Sequence, residues 1–299
     1  MTYQAFGMTA VAPATLAASP YIHKAGLLDV RLATSEEEIA AAQALRYQIF
    51  YEEMGARPTP EMLAARRDID AYDSICDHLL VIDHGQDGTP HVVGTYRLLR
   101  QVVAEQHRGF YSSAEYDLSP LLDRTFQSRI GEGKQLLELG RSCVAASYRN
   151  NATINLLWRG IAAYLQTHNI GYMFGCASLH GTNPEEHALP LSYLHQHHLM
   201  PEDLRVRALP EHYVPMERMA PGSYDPKDGL RALPPLIKGY LRLGCMIGDG
   251  AFIDHQFNTV DVFILLPVDR IARRYSARYA VDAAGAEQEQ TRVFLAGGS

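Results

Sequence analysis

Residues 136–151 read LLELGRSCVAASYRNN, which places an acid, Glu138, and a base, Arg141, inside an apolar run suited to a buried strand. Charges in such a setting must be paired or put to use. In a regular strand, side chains an odd number of positions apart face opposite ways. Gly140 lies between the two, and glycine favours a β-bulge. A bulge brings both side chains to one face, splays the strand and leaves backbone N–H groups unpaired, able to hold a carbonyl oxygen as it becomes an oxyanion. Glu138 is then a candidate general base, directly or through a water, with Asp73 as its rival. The alternative is that Glu138 only pairs with Arg141 or Arg97 and fixes the strand. An acid between two arginines has a lowered pKa and makes a poor base.

Other charges also stand where apolar residues are expected. In SEEEIAAAQALRYQIFYEEMGA (35–56), Ile39, Ala42, Arg46 and Phe50 share one helical face, so Arg46 needs a partner or a ligand. Arg46, Arg97 and Arg141 against Asp70, Asp73 and Glu138 make three charges of each sign. Such a network could stiffen the acidic loop RRDIDAYDSICD over a sheet, or bind a substrate carboxylate through an arginine fork. Asp254 and Asp261, near the end of the chain, are candidates for a cationic substrate group, against the plainer reading that they face outward or shape turns. Cys176 has no obvious base beside it and reads as a buried strand thiol.

The elements that must position these residues follow from periodicity and punctuation. A strand at 28–33 precedes the helix at 35–56, which Ser35 and Glu38 open as a capping box and Gly55 closes. A hairpin follows at 78–83 and 91–100. Residues 101–135 show no regular pattern. Then come the strand carrying Glu138 and Arg141, an amphipathic helix at 151–169, a strand at 170–179, helical segments at 184–199 and 233–244, and two strands within 251–268. The order implies an α/β fold with a mixed, mostly antiparallel central sheet flanked by helices, and an extra helical region, about 181–248, before the last hairpin. One domain is expected over 28–280, between a loosely ordered arm (1–27) and a C-terminal tail (281–299). The start of the 151–169 helix offers free N–H groups to an anion or an amide-rich cofactor arm, so the strand–loop–helix at 137–169 is the natural ligand site.

A net charge of −7 over 299 residues argues against a chain whose whole surface grips nucleic acid. None of the four cysteines forms a C-x-x-C pair, no zinc spacing is present, and the histidines of HQHH (195–198) read as a helix end. No metal and no tightly bound cofactor are expected. No apolar run is long enough to span a bilayer and no signal peptide is evident, so a cytoplasmic protein is expected, with peripheral contact to the inner membrane left open.

The strand followed by V-A-x-S-Y-R-N-N-A and a helix resembles the acyl-carrier-arm site of the GNAT acyltransferase fold, although Arg149-Asn150-Asn151-Ala152-Thr153 lacks the usual glycines. Arg46 and Phe50 in LRYQIF, Asp70 and Asp73 in DIDAYD, Arg97 in GTYRLL and Glu138 with Arg141 in ELGR resemble the acyl-homoserine-lactone synthases. The C-terminal block LPPLIKGYLRLGCMIGDGAFIDHQFNTVDVFILLPVDRIARRY is similar to the ornithine–acyl-ACP N-acyltransferases, over about 28–278. That resemblance implies transfer of a 3-hydroxyacyl chain from the 4'-phosphopantetheine arm of acyl carrier protein to the α-amine of L-ornithine. The catalytic set would be Glu138, Arg141 and Asp73. Arg46, Phe50, Asp70, Arg97, Asp254 and Asp261 would hold the substrate, the last two through its side-chain ammonium. Arg149, Asn150, Asn151 and Arg159 would meet the acidic carrier. The alternatives are acylation of glycine, glutamine or an aromatic amino acid, or a non-catalytic acyl-carrier or lipid-binding module.

Overall fold

The computed structural model describes residues 23–85 and 89–269, so most of the expected arm and all of the expected tail lie outside the described residues. Two short strands, β1 (His23–Ala25) and β2 (Leu28–Leu32), form a hairpin, β1 falling within the segment read as an arm. Helix α1 (Glu36–Tyr47) opens with the Ser35 side chain accepting from the Glu38 N–H. It does not run on to 56. From Gln48 to Glu53 the chain widens into a π turn, an insertion common beside functional sites, and this turn carries Phe50.

After α2 (Pro60–Ala65) come β3 (Asp77–Asp83) and β4 (His91–Arg100), the expected hairpin. The stretch 101–135 is more ordered than its sequence pattern suggests. It holds α3 (Gln101–Gln106), a 3₁₀ turn at Tyr111–Ala114, β5 (Tyr116–Asp117), α4 (Ser119–Leu122) and α5 (Arg124–Ile130). These pieces are too short to show a period of 3.6. Next are β6 (Gln135–Val144), α6 (Asn151–Thr167) and β7 (Ile170–His180). The extra region contains α7 (Ala188–His198), a two-residue β8 (Arg207–Ala208), α8 (Pro226–Ala232) and α9 (Pro235–Arg242). The closing hairpin is β9 (Met246–Asp254) and β10 (Thr259–Pro267), joined by a turn in which Asn258 takes a left-handed conformation.

The strands join in the order β1-β2-β3-β4-β6-β7-β10-β9-β8-β5, antiparallel except for β6 with β7 and β8 with β9. Alternation sorts side chains to two cores. On one face Leu79, Val81, Leu137 and Met173 pack under Leu157 and Ile161 of α6, Leu191 of α7 and Ile237 of α9. On the other, Leu99, Leu136, Phe174 and Phe263 pack against the 101–130 segment, and Leu80 and Ile82 against Ala42 of α1. No helix among the described residues is long and apolar enough to cross a membrane.

Candidate active site

Strands β6 and β7 pair from Gln135↔Ile170 to Glu138↔Phe174 and then part. At the fork Gly175 sits so close to β6 that a Cβ there would lie 2.3 Å from the Leu139 carbonyl oxygen, a position no other residue type can occupy without moving a strand. Beyond Glu138 the β7-facing edge of β6 has no strand partner among the described residues. On the opposite edge, two residues of β6, Arg141 and Ser142, stand against the single Tyr96 of β4, since Gly140 pairs with Arg97 and Cys143 with Thr95. This is the expected bulge, but Gly140 does not take the left-handed conformation: Arg141 does, at φ 51°.

A cavity of about 580 Å³ opens at the fork. It reaches both faces of the sheet. Leu139, Met173, Ile264, Leu236 and Tyr240 line it on the α6–α9 side; Glu138, Arg141, Ser112, Glu115, Cys176, Asp254, Asp261, Phe50 and Phe257 line it on the α1 side. One end is thus apolar and the other charged.

Three arginines and three aspartates interlock behind the charged end. Arg46, 0% exposed, donates from Nε to Asp68 Oδ2 (2.8 Å) and from Nη2 to Asp73 Oδ1 (2.9 Å). Arg97 Nη1 meets Asp70 at 2.6 Å and Asp73 at 3.3 Å. Arg141 donates from Nε to Asp68 and from Nη2 to Asp70, both at 3.2 Å, and also to the Tyr111 hydroxyl, with its guanidinium over the Tyr111 and Phe257 rings. Burial pushes Asp70 and Asp73 upward, but Arg97 and Arg141 at Asp70, and Arg46 and Arg97 at Asp73, outweigh it and hold both below the usual carboxylate range. Buried charges so matched cost about 3–5 kcal/mol to break one at a time.

The third acid of this lattice is Asp68, which the sequence reading passed over in its acidic loop; Glu138 stands apart. Its Oε2 accepts from the Tyr111 N–H (2.7 Å), and its Oε1 from the Ser112 N–H (2.8 Å) and hydroxyl (2.5 Å). So Glu138 pairs directly with neither Arg141 nor Arg97; it anchors the 3₁₀ turn. Burial raises its pKa against those three donors. Asp73 lies outside the cavity wall, with oxygens accepting from Arg46, Gln43, Arg97 and the Asp70 N–H. It is a member of the lattice, set behind the cavity in which it was expected as a rival base.

Phe50 reaches the cavity from the π turn and meets Phe257 edge-on at 5.6 Å. Asp254 and Asp261 line the cavity on facing strands. Asp254 also accepts from the Gln256 and Phe257 N–H groups, shaping the turn. Burial pushes Asp261 up to about 6. Arg149 lines the cavity and is paired with Glu53 at 2.5 Å. Asn150 caps α6 by accepting from the Thr153 N–H; it, Asn151 and Arg159 are exposed and outside the cavity lining. Tyr111, Ser112, Glu115 and Phe257 were not foreseen, because contacts of 26 or more positions in sequence bring the first three to the site and no local pattern marks them. Cys176 touches Ser112 and Glu115, and burial raises its thiol well above the ordinary range, so it stays protonated. Among the described residues no group of three or more His, Cys, Asp or Glu could hold a metal ion.

Residues 45–159 match the acetyltransferase (GNAT) domain family, from the end of α1 to the middle of α6. An L-ornithine N(α)-acyltransferase of Rhizobium meliloti is 50% identical over 89% of this chain and 88% of its own. Its counterpart in Brucella abortus is 50% identical over 86% and 90%, and that of Rhodobacter capsulatus 41% over 84% and 94%. Among solved structures, an N-acyl amino acid synthase from uncultured soil microbes aligns over 81% of this chain and 91% of its own, with 13% identity and a TM-score of 0.43.

Proposed function

The chain belongs to the L-ornithine N(α)-acyltransferase family, a GNAT-type enzyme family, and we propose that it moves a 3-hydroxyacyl chain from acyl carrier protein to the α-amine of L-ornithine, giving a lyso-ornithine lipid. The observation that carries this reading is the cavity through the sheet, apolar at one end and charged at the other. An acyl chain suits the Leu139, Met173, Leu236 and Tyr240 side, and a zwitterionic amino acid suits the side of Arg141, Asp254 and Asp261. The thioester carbonyl then lies at the fork, where N–H groups of β6 without a β7 partner could receive its oxygen.

Aminolysis needs a neutral amine. In this proposal the α-ammonium of ornithine gives a proton to the Ser112 hydroxyl oxygen as that hydroxyl passes its own proton to Glu138. The C–N bond forms, the tetrahedral oxyanion collapses and the C–S bond breaks; the thiolate of the carrier arm leaves and takes the second proton of the acylated nitrogen, and Glu138 later returns the first to solvent. Burial suits Glu138 to hold the proton between these steps. Arg141 keeps its Nε and Nη2 on Asp68 and Asp70 and turns Nη1 to the substrate carboxylate, and the Arg46–Asp68–Asp73–Arg97–Asp70 lattice holds it in place. Asp254 and Asp261 receive the side-chain ammonium. Arg149, Asn150, Asn151 and Arg159 at the start of α6 form the carrier's dock, and no resident cofactor takes part. The amphipathic α9, next to the apolar end, could lie on an inner-membrane surface where the product belongs.

Incubation with 3-hydroxyacyl carrier protein and, in separate reactions, ornithine, glutamine, glycine or phenylalanine tests this reading. Free carrier thiol and an α-N-acylated product should appear with ornithine. Preference for another amino acid would replace the acceptor, and absence of thiol release with every amino acid would leave a binding module.

A further inference from the structure

Besides Glu138, three carboxyl groups, not two, line the charged end of the cavity. Asp254 and Asp261 are diagonal neighbours across the β9–β10 hairpin, since Asp254 pairs with Thr259 and Asp261 with Phe252. Glu115 joins them from the segment between the 3₁₀ turn and β5. It is held there by its neighbour Tyr116, fully buried, whose hydroxyl donates to the Asp261 carbonyl at 3.0 Å. The Glu115 carboxyl lines the cavity and, among the described residues, accepts from the weak donor Cys176 Sγ at 3.6 Å.

Asp261 supplies a second, independent sign of a ligand. Its side chain lines the cavity, the residue is only 7% exposed, and its Oδ1 meets no donor at hydrogen-bonding geometry among the described residues, although the Ser178 and Thr259 hydroxyls lie close to the carboxyl. A buried carboxylate oxygen without a donor is costly, and a site that leaves one open toward a cavity is built to be completed by something that donates. The cations of the cavity wall do not complete it. Arg97 and Arg141 are committed to Asp68, Asp70 and Asp73, and Arg149 to Glu53. The missing partner is a compact cation with several N–H donors, which describes a primary ammonium.

We propose that Glu115 completes, with Asp254 and Asp261, a pocket for the side-chain ammonium of the acceptor, and that Glu115 is a specificity-determining residue that makes the enzyme prefer a diamino acid to one with an uncharged side chain. The proposal rests on the acceptor reading above and adds to it the residue that enforces the choice. An ammonium offers three donors, and three carboxyls can take one each. An acceptor with a methyl group in that place leaves the pocket unpaired, and buried polar groups left unpaired are the strongest source of discrimination a site can have. With the pocket empty, burial and the Asp261 and Asp254 carboxylates push Glu115 up to about 8, so an arriving ammonium also drives its proton off.

The test compares kcat/KM for L-ornithine and L-norvaline, which has the same carbon chain without the second amine, in the wild type, Glu115→Gln and Asp261→Asn. The ratio of the two is independent of how much of each variant is folded. The wild type should favour ornithine, and Glu115→Gln should cut that preference by about ten-fold or more, mainly through KM for ornithine, with Asp261→Asn moving it the same way. A preference that survives in Glu115→Gln overturns the assignment of Glu115 while leaving the acceptor reading intact. A wild type that favours norvaline overturns both.

Discussion

Carboxyl groups in this molecule titrate in opposite directions according to what faces them. Asp70 and Asp73 lie among guanidiniums and are held below the ordinary range, so the stability they contribute is present at neutral pH and is lost as pH falls through their lowered values. Glu115 and Asp261 lie among other acids. Burial first, and the Asp261 and Asp254 carboxylates second, move Glu115 from 4.5 to about 8, while burial, against the Ser178 and Thr259 hydroxyls, moves Asp261 from 3.8 to about 6. For such groups the folded state binds more protons than the unfolded chain between the ordinary and the raised value, so stability falls as pH rises through that window. The urea midpoint of the substrate-free protein, followed by fluorescence of the single Trp158, should therefore decline from about pH 5 to about pH 8. Glu115→Gln, with no proton to lose, should flatten the upper part of that decline, and saturating ornithine should lift the midpoint most at the alkaline end. A midpoint that is level across the range would show that these carboxyls are not held neutral by the fold.

At the scale of elements, the bulge in β6 puts the charge where it is needed and stores strain in doing so. A non-glycine residue at φ 51° costs about 1–2 kcal/mol, and Arg141 stays there because Asp68, Asp70 and Tyr111 hold its guanidinium. Removing the side chain and removing the strain are separable. Arg141→Ala loses the ion pairs and keeps the strained backbone, whereas Arg141→Gly loses the pairs and relieves the strain. Both should lack acyl transfer, and the glycine variant should be the more stable of the two by about 1 kcal/mol in urea unfolding. Equal stabilities would mean that the bulge relaxes once the guanidinium is gone. This bulge also shows how far the sequence could be read. An acid and a base three apart in an apolar run required an irregular strand, and Gly140 marked roughly where. Which residue turns left-handed is decided by the acidic loop some 70 positions away, so no local pattern could name Arg141. Long, periodic elements such as β4, α6 and β10 were legible for the same reason that 101–135 was not: burial of one face imprints a repeat only over several turns or alternations. Asp68 escaped because an acid-rich loop does not reveal which of its acids points inward, and Glu115 because its neighbours at the site come from β7, β9 and β10.

At the scale of the whole molecule, the proposed acidic carrier protein would meet a chain of net charge −7, so repulsion at long range would have to be overcome by attraction at the dock. In that proposal the start of α6 supplies the attraction. Arg149 there touches the cavity but shares its charge with Glu53, and Arg159 stands two turns further along on the exposed side of the helix. Exposed charges of this kind act through steering and are screened within about 8–10 Å at physiological salt. Their effect should appear in the encounter with the carrier and not in chemistry at the fork. Arg159→Glu should therefore raise KM for the carrier-borne donor by about ten-fold at low salt, with the deficit shrinking as salt is added. KM for a short pantetheine thioester of the same acyl chain should move far less. Equal losses with both donors, or a deficit that salt does not reduce, would place the carrier's dock elsewhere on the molecule and leave the start of α6 as scaffold alone.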